Sequence, residues 1–163
     1  MCRNWFCKKT PKPAIPTVVS NKERLVRFIL SPFHFTKDGK QLRTSAFNPS
    51  IGTEEVSVTR LDYSSIKRCK ELAHKLFSGG KAQYCGFGLL NKAIAIDCGA
   101  KDVVSSPVED NPAHANILLG IVRPNDAIPS EILYILDNLL DKVMFLRDPN
   151  PDSPDWDGDS LML

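Results

Sequence analysis

Apolar runs and alternation along the chain predict a series of short strands. Residues 24–31 form an almost unbroken apolar run that ends at a proline, which is typical of a buried strand. In residues 54–60, Val56 and Val58 alternate with polar residues, which indicates a strand with one buried face. Further strands are predicted at 42–47, 83–90, 103–104 and 114–122, with a turn at Asp38-Gly39 that closes a hairpin.

Apolar residues at helical spacing predict two main helices. The first begins at a capping residue, Asp62 or Ser64, and runs to about Phe77, before a glycine pair. The second covers about 129–146 and opens on a proline, and a shorter helix or turn is expected over 91–99. Because strands and helices mix without a regular βαβ repeat, we expect an α+β fold. It would have a mixed or antiparallel sheet of about five strands, with the two main helices packed on one face.

Charge and proline content together divide the chain into an arm, a domain and a tail. Residues 1–48 hold ten Lys and Arg against two acidic residues, a net charge of +8, whereas residues 49–163 carry −6. Residues 1–22 contain three prolines and are predicted to form a basic extended arm, followed by a single α+β domain over 23–146. Residues 147–163 contain five Asp and three prolines, which predicts a disordered acidic tail.

Composition excludes several classes of protein. A chain of 163 residues with 42% hydrophobic and 25% charged residues is typical of one globular domain. No apolar run approaches the roughly 18 residues of a membrane span, and the N-terminus has no secretory signal pattern. Five scattered cysteines without a CxxC pair indicate free thiols in a reducing cytosol. We therefore expect a cytoplasmic protein with no membrane partner, no cofactor and no metal. A weak metal site that uses His34 and His114 with a carboxylate partner, Glu109 or Asp110, is the less favoured alternative.

Two histidines are candidates for acid–base chemistry. His34 stands just past the first strand, and His114 opens the strand at 114–122, so a sheet that joins these strand ends places both rings in one cleft. An imidazole titrates near neutral pH, so such a pair can cleave a phosphodiester without a metal. Arg43, Arg60 or Lys37 would then stabilise the charge on the phosphate. The alternative for each ring is a structural role in a hydrogen bond.

The two histidine segments also carry a resemblance. His34-Phe35-Thr36 and His114-Ala115-Asn116 resemble the paired His-x-Thr/Ser motifs of the two-histidine phosphoesterases, with Asn116 where that family has a hydroxyl that positions phosphate. The resemblance implies that His34 and His114 act as general base and acid. The residues expected at the phosphate are Thr36, Lys37, Arg43, Arg60 and Asn116.

A second resemblance covers about residues 24–122. Four strings resemble a family of small, uncharacterised bacterial proteins: Phe33-His34-Phe35-Thr36-Lys37, Ser45-Ala46-Phe47-Asn48-Pro49, Val56-Ser57-Val58-Thr59-Arg60 and His114-Ala115-Asn116-Ile117. This resemblance implies a prokaryotic or phage-borne source and no particular activity.

The leading functional interpretation is a small accessory protein of a multi-component, nucleic-acid-linked system. Its basic N-terminal region would bind phosphate-rich or acidic partners. Its acidic tail, which ends in apolar residues, would dock on a protein partner. A metal-independent phosphodiesterase or ribonuclease is the alternative. The residues expected to contact partners are Lys8, Lys9, Lys12, Trp156, Leu161 and Leu163.

Overall fold

One antiparallel sheet organises the chain. The computed structural model describes residues 14–163, which contain six strands in the order β4-β5-β2-β1-β3-β6 and three α-helices. This is the α+β class that the sequence predicts, with a slightly larger sheet. The elements are β1 (Arg24–Ser31), β2 (Glu55–Arg60), α1 (Ile66–Phe77), β3 (Gln83–Asn91), α2 (Lys92–Asp97), β4 (Asp102–Ser105), β5 (His114–Leu118), α3 (Ser130–Lys142) and β6 (Met144–Arg147).

Both faces of the sheet carry an apolar core. Along β1, Leu25 and Ile29 point to the core that α2 and α3 cover, whereas Val26 and Leu30 point to the core beneath α1. The structure therefore differs from the expectation that both main helices share one face. The cause is that β1 carries apolar residues on both of its sides, because such a central strand needs cover on both faces.

The C-terminal part of the second predicted helix is a strand. Helix α3 ends at Lys142, and the chain continues as β6, which pairs with β3. Val143 and Leu146 fit the apolar stripe of a longer helix as well as they fit a strand, so periodicity alone misses the change. A similar difference occurs at Thr44–Phe47, which is a 3-10 turn rather than the predicted strand.

Strands β1 and β2 separate after two residue pairs. Leu25 pairs with Arg60 and Val26 with Thr59, but the ladder goes no further. From this point the Arg27 side chain fills the space between the strands: its Nη1 donates to the Ser57 carbonyl at 2.9 Å, and its Nε donates to the Ala46 carbonyl at 2.9 Å. The sheet thus contains a gap that is closed by a guanidinium.

Residues 148–161 pack on the domain. Lys70 of α1 forms a fully buried ion pair with Asp148 at 2.7 Å. The same Lys70 ammonium donates to the carbonyls of Asn150 and Asp155 at 3.0 and 2.6 Å. The structure therefore differs from the prediction of a disordered tail. Proline and aspartate content indicated disorder, but the partner that fixes these residues lies far away in sequence, on α1.

Candidate functional site

His34 is buried at the end of β1. Its ring Nδ1 accepts a hydrogen bond from the Leu30 backbone N–H at 3.1 Å, and the His34 backbone N–H donates to the Leu30 carbonyl at 3.0 Å. Burial, helped by the positive charge of Arg27, lowers the pKa of His34 to about 4. The ring is therefore neutral at pH 7, and its Nδ1 is occupied by the Leu30 backbone N–H. A pKa this low is poorly matched to a general base working near neutral pH.

His114 is the first residue of β5 and is only half-buried. Its Nδ1 lies 2.6 Å from the Ser106 carbonyl oxygen. Because a carbonyl can only accept, this ring nitrogen carries the proton, and Nε2 is the acceptor in the neutral ring.

The structure does not bring the two histidines together. His114 pairs with Thr59, which pairs with Val26, whereas His34 is bonded to Leu30, four residues further along β1. At about 3.3 Å per residue, these contact points lie about 13 Å apart along the strand. The groove that His114 lines does not include His34. One phosphate cannot reach both rings in this arrangement.

Arg60 is fully buried and has no free N–H. Its guanidinium is held by both carboxylate oxygens of Glu23, at 2.7 and 3.0 Å, and by the carbonyls of Pro16 and Val18, at 2.6 and 3.2 Å. The Ser105 hydroxyl accepts a further bond at 3.2 Å. An arginine has five N–H donors, and all five are used here. Arg60 therefore fixes the N-terminal segment to the sheet and cannot take the phosphate role expected from the sequence.

The remaining expected phosphate residues fall into two separate groups. Asn116 is buried in β5, paired with Ser57 on one side and Val104 on the other, and shares a face of the sheet with His114. Thr36, Lys37 and Arg43 lie instead in the connection that follows β1, near His34.

That connection forms a small hairpin, residues 32–43, which we call the basic hairpin. Phe35 and Leu42 form an antiparallel bridge, and the Thr36 N–H donates to the Gln41 carbonyl at 2.8 Å. Gly39 has a φ of +70° at the tip, which glycine adopts readily, so the turn expected at Asp38-Gly39 is present.

The surface of the basic hairpin combines cations with an aromatic ring. Lys37, Lys40 and Arg43 are exposed, and Phe33 is 53% exposed. Asp38, the sole acidic residue in this stretch, accepts hydrogen bonds from the Thr36 hydroxyl and the Lys40 N–H, and these bonds lower its pKa. Asp38 therefore holds the turn, while three cations face solvent.

The C-terminal residues expected to contact partners pack largely against their own domain. The Trp156 ring lies 5.3 Å from that of Phe87, and its indole N–H donates to the Asp159 carbonyl at 2.9 Å. Leu161 is 5% exposed, whereas Leu163 is half exposed. Trp156 and Leu161 therefore hold the segment in place instead of presenting it. Lys8, Lys9 and Lys12 lie outside the described residues.

Within residues 14–163, no group of three or more His, Cys, Asp and Glu side chains is arranged to hold a metal ion. No helix in the same residues is long and apolar enough to cross a bilayer.

Sequence reasoning missed the charged residues that hold the fold together. Arg27 interrupts the apolar run of β1, and Lys70 is fully buried although a lysine in a surface helix is usually exposed. A cation inside an otherwise apolar strand was a usable signal, because a buried charge must find partners. Nothing in the sequence around Lys70 indicates its partner Asp148.

Comparison with known proteins gives no relatives. No protein-family model matches this chain, and no curated protein or solved structure shows significant similarity to it.

Proposed function

We propose that the protein is a non-catalytic accessory module that binds single-stranded nucleic acid through the basic hairpin. The observation that carries this proposal is the combination of Lys37, Lys40, Arg43 and the exposed Phe33 in one short hairpin. The acidic residue of the hairpin is occupied by its own turn, so the surface is net positive.

The cations and the aromatic ring of this surface would bind different parts of the nucleic acid. Exposed cations bind phosphates and release the counterions condensed on the nucleic acid. A solvent-facing aromatic ring gives an unpaired base a surface to stack on, whatever the base. We therefore expect binding that is sensitive to salt and tolerant of sequence. The charge of the chain that precedes the hairpin would add to this attraction for phosphates, through Lys8, Lys9 and Lys12.

The proposed setting is a multi-component system of the prokaryotic cytoplasm. The source is inferred from the resemblance of the histidine and Ser-Ala-Phe-Asn-Pro strings to small bacterial proteins. The compartment is inferred from the cysteines: Cys69, Cys85 and Cys98 are buried free thiols, as is usual under reducing conditions. We do not propose the phosphodiesterase, because His34 and His114 lie too far apart and Arg60 is fully occupied.

A binding titration tests the proposal. Fluorescence anisotropy would follow labelled single-stranded DNA, single-stranded RNA and duplex DNA at about 50 and about 200 mM salt. Wild type is compared with the triple variant Lys37→Gln, Lys40→Gln, Arg43→Gln. The matched control, Lys67→Gln, Lys81→Gln, Lys101→Gln, removes the same charge from exposed residues elsewhere.

We expect the hairpin variant to lose at least about tenfold in affinity, with a salt slope smaller by about 2, because three phosphate contacts are gone. Phe33→Ala should weaken binding about fivefold or more and leave the salt slope unchanged, because stacking is not ionic. The control should bind nearly as wild type. If wild type shows no salt-sensitive binding, or if both triple variants lose affinity equally, the proposal is wrong.

A further inference from the structure

A groove beside helix α1 forms a second site, separate from the basic hairpin. It lies between α1, the 106–113 loop and the face of β1, β2 and β5, and its volume is about 410 Å³. Leu76 and Val108 stand at its edge and are 65% and 49% exposed. Volumes of this size, with mostly apolar walls, are typical of sites for small molecules. The apolar residues that line it are Val26, Phe28, Val58, Leu72, Leu76, Phe77 and Val108.

The groove is held open by fixed contacts between the loop and the domain. The Lys75 ammonium pairs with the Asp110 carboxylate at 2.7 Å, and Arg68 donates to the Asp110 carbonyl at 2.8 Å. From the other side, the Asn111 amide donates to the Thr59 hydroxyl at 2.8 Å. The walls are thus positioned before any ligand arrives, which reduces the entropy lost on binding. The pair with Lys75 also neutralises the carboxylate of Asp110.

The groove is bordered by a cation that no carboxylate balances. Arg27 lines it, and the Arg27 guanidinium is bonded to the carbonyls of Ala46 and Ser57. No acidic side chain of residues 14–163 forms an ion pair with it. Desolvation lowers the pKa of Arg27 to about 10, so the group remains charged at neutral pH. A desolvated cation without a counterion favours an anionic ligand.

A second polar group borders the same groove. His114 lines it, and because Nδ1 is bonded to Ser106, its Nε2 is the ring atom left for a ligand. Among the described residues, no hydrogen-bond partner occupies Nε2. Glu109 also lines the groove, but its side chain is exposed, where water and salt screen its charge.

We propose that this groove binds a small apolar carboxylate, such as a medium-chain fatty acid or an arylalkanoate. The carboxylate lies against the Arg27 guanidinium, and the apolar body lies against Leu72, Leu76 and Val108. This assignment follows from the pairing of an apolar wall with an unbalanced cation, and it does not depend on nucleic-acid binding at the basic hairpin.

Isothermal titration with a matched set of probes tests the site. Decanoate and 4-phenylbutanoate are compared with decanol and decylamine, which share the apolar body but not the negative charge. Leu76→Glu and Val108→Asp place a negative charge at exposed positions of the groove, so both variants should fold. Tyr134→Glu, on the exposed side of α3, is the matched control.

We expect saturable binding of both carboxylates with one site per chain, and at least tenfold weaker binding of the alcohol and the amine. Leu76→Glu and Val108→Asp should each weaken carboxylate binding at least tenfold, whereas Tyr134→Glu should leave it unchanged. The His114 ring resonances should shift on titration. The proposal is overturned if no probe binds, if the alcohol or amine binds as tightly, or if Tyr134→Glu weakens binding as much as the groove variants.

Discussion

The Arg27 guanidinium takes the hydrogen bond at Ser57 that a continued strand ladder would give to the backbone. Its Nη1 lies 2.9 Å from the Ser57 carbonyl oxygen, two residues beyond the last pair between β1 and β2, Val26 with Thr59. If the antiparallel ladder continued in the same register, Arg27 would pair with Val58 and Phe28 with Ser57. A side chain therefore satisfies a carbonyl that the sheet has left free, and the two strands can separate without an unpaired group.

His34 should make the stability of the protein depend on pH. Its pKa is about 4 in the folded protein, against about 6.5 in an unfolded chain. The unfolded state binds the extra proton between these two values, so stability should be fully present above about pH 6.5 and fall as the pH drops towards 4. The loss is on the order of 3 kcal/mol. Urea unfolding at a series of pH values measures it.

The variant His34→Asn separates this effect from general acid denaturation. The asparagine carbonyl oxygen can accept the Leu30 N–H in place of Nδ1 but does not titrate. The difference in free energy of unfolding between wild type and variant should therefore narrow as the pH falls from 6.5 to 4. A constant difference across this range would show that His34 is not the titrating group.

The buried pair of Lys70 and Asp148 should hold the C-terminal segment. Lys70→Met leaves the Asp148 carboxylate buried without a counterion, and this should cost about 3–5 kcal/mol in unfolding free energy. Hydrogen exchange should accelerate first in residues 148–161. Lys67→Met, exposed on the same helix, should change stability by no more than about 0.5 kcal/mol.

A double-mutant cycle tests the coupling. Adding Asp148→Asn to Lys70→Met removes the unbalanced charge. The double variant should therefore lose less unfolding free energy than the two single variants lose in sum. Strictly additive losses would show that the two side chains do not stabilise one another.

Glu23→Gln should destabilise the N-terminal segment. The change keeps the size of the side chain but leaves the Arg60 guanidinium buried without its negative partner. We expect a loss of about 3–5 kcal/mol, measured by urea unfolding. The control Glu55→Gln alters an exposed carboxylate on β2 and should be nearly neutral. Equal effects of the two changes would mean that the buried pair contributes nothing specific.

Gly86→Ala should separate β6 from β3. Gly86 has a φ of +156°, and a Cβ there overlaps the Leu146 carbonyl oxygen of the neighbouring strand. Gly52 also has a positive φ, +82°, but open space around it. Gly52→Ala should therefore cost only backbone strain, about 1–2 kcal/mol, and Gly86→Ala clearly more. Thermal unfolding of both variants measures the difference, and similar losses would contradict a steric role for Gly86.

The elements that the sequence predicts well are those with local signals. Strand β1 has the predicted limits because its apolar run and terminal proline are both local, and α1 ends at Phe77 before the glycine pair as expected. Its N-terminal cap is Ser65 rather than Asp62 or Ser64, since the Ser65 hydroxyl accepts from the Arg68 N–H at 3.0 Å. Shifts of this size at helix ends are common.

The candidate site depended on long-range geometry, which local signals do not carry. The sequence placed His34 and His114 at strand ends, and both do lie there, but it could not tell which ends of the sheet coincide. Arg60 is the last polar residue of a strand with one buried face, and nothing near it in sequence indicates that Glu23 binds it in the interior. The basic hairpin was more accessible to prediction, because its turn and its cations are neighbours in sequence.

Because Trp156 packs on Phe87, this part of the core is completed only late in the synthesis of the chain. Strand β3 emerges long before Trp156 and Leu161, so the nascent chain passes through a stage in which the ring of Phe87 lacks part of its cover. Exposed apolar surface of this kind is where chaperones bind and aggregation begins. Slowing translation between β6 and Trp156 should therefore lengthen the time for which this apolar surface is exposed.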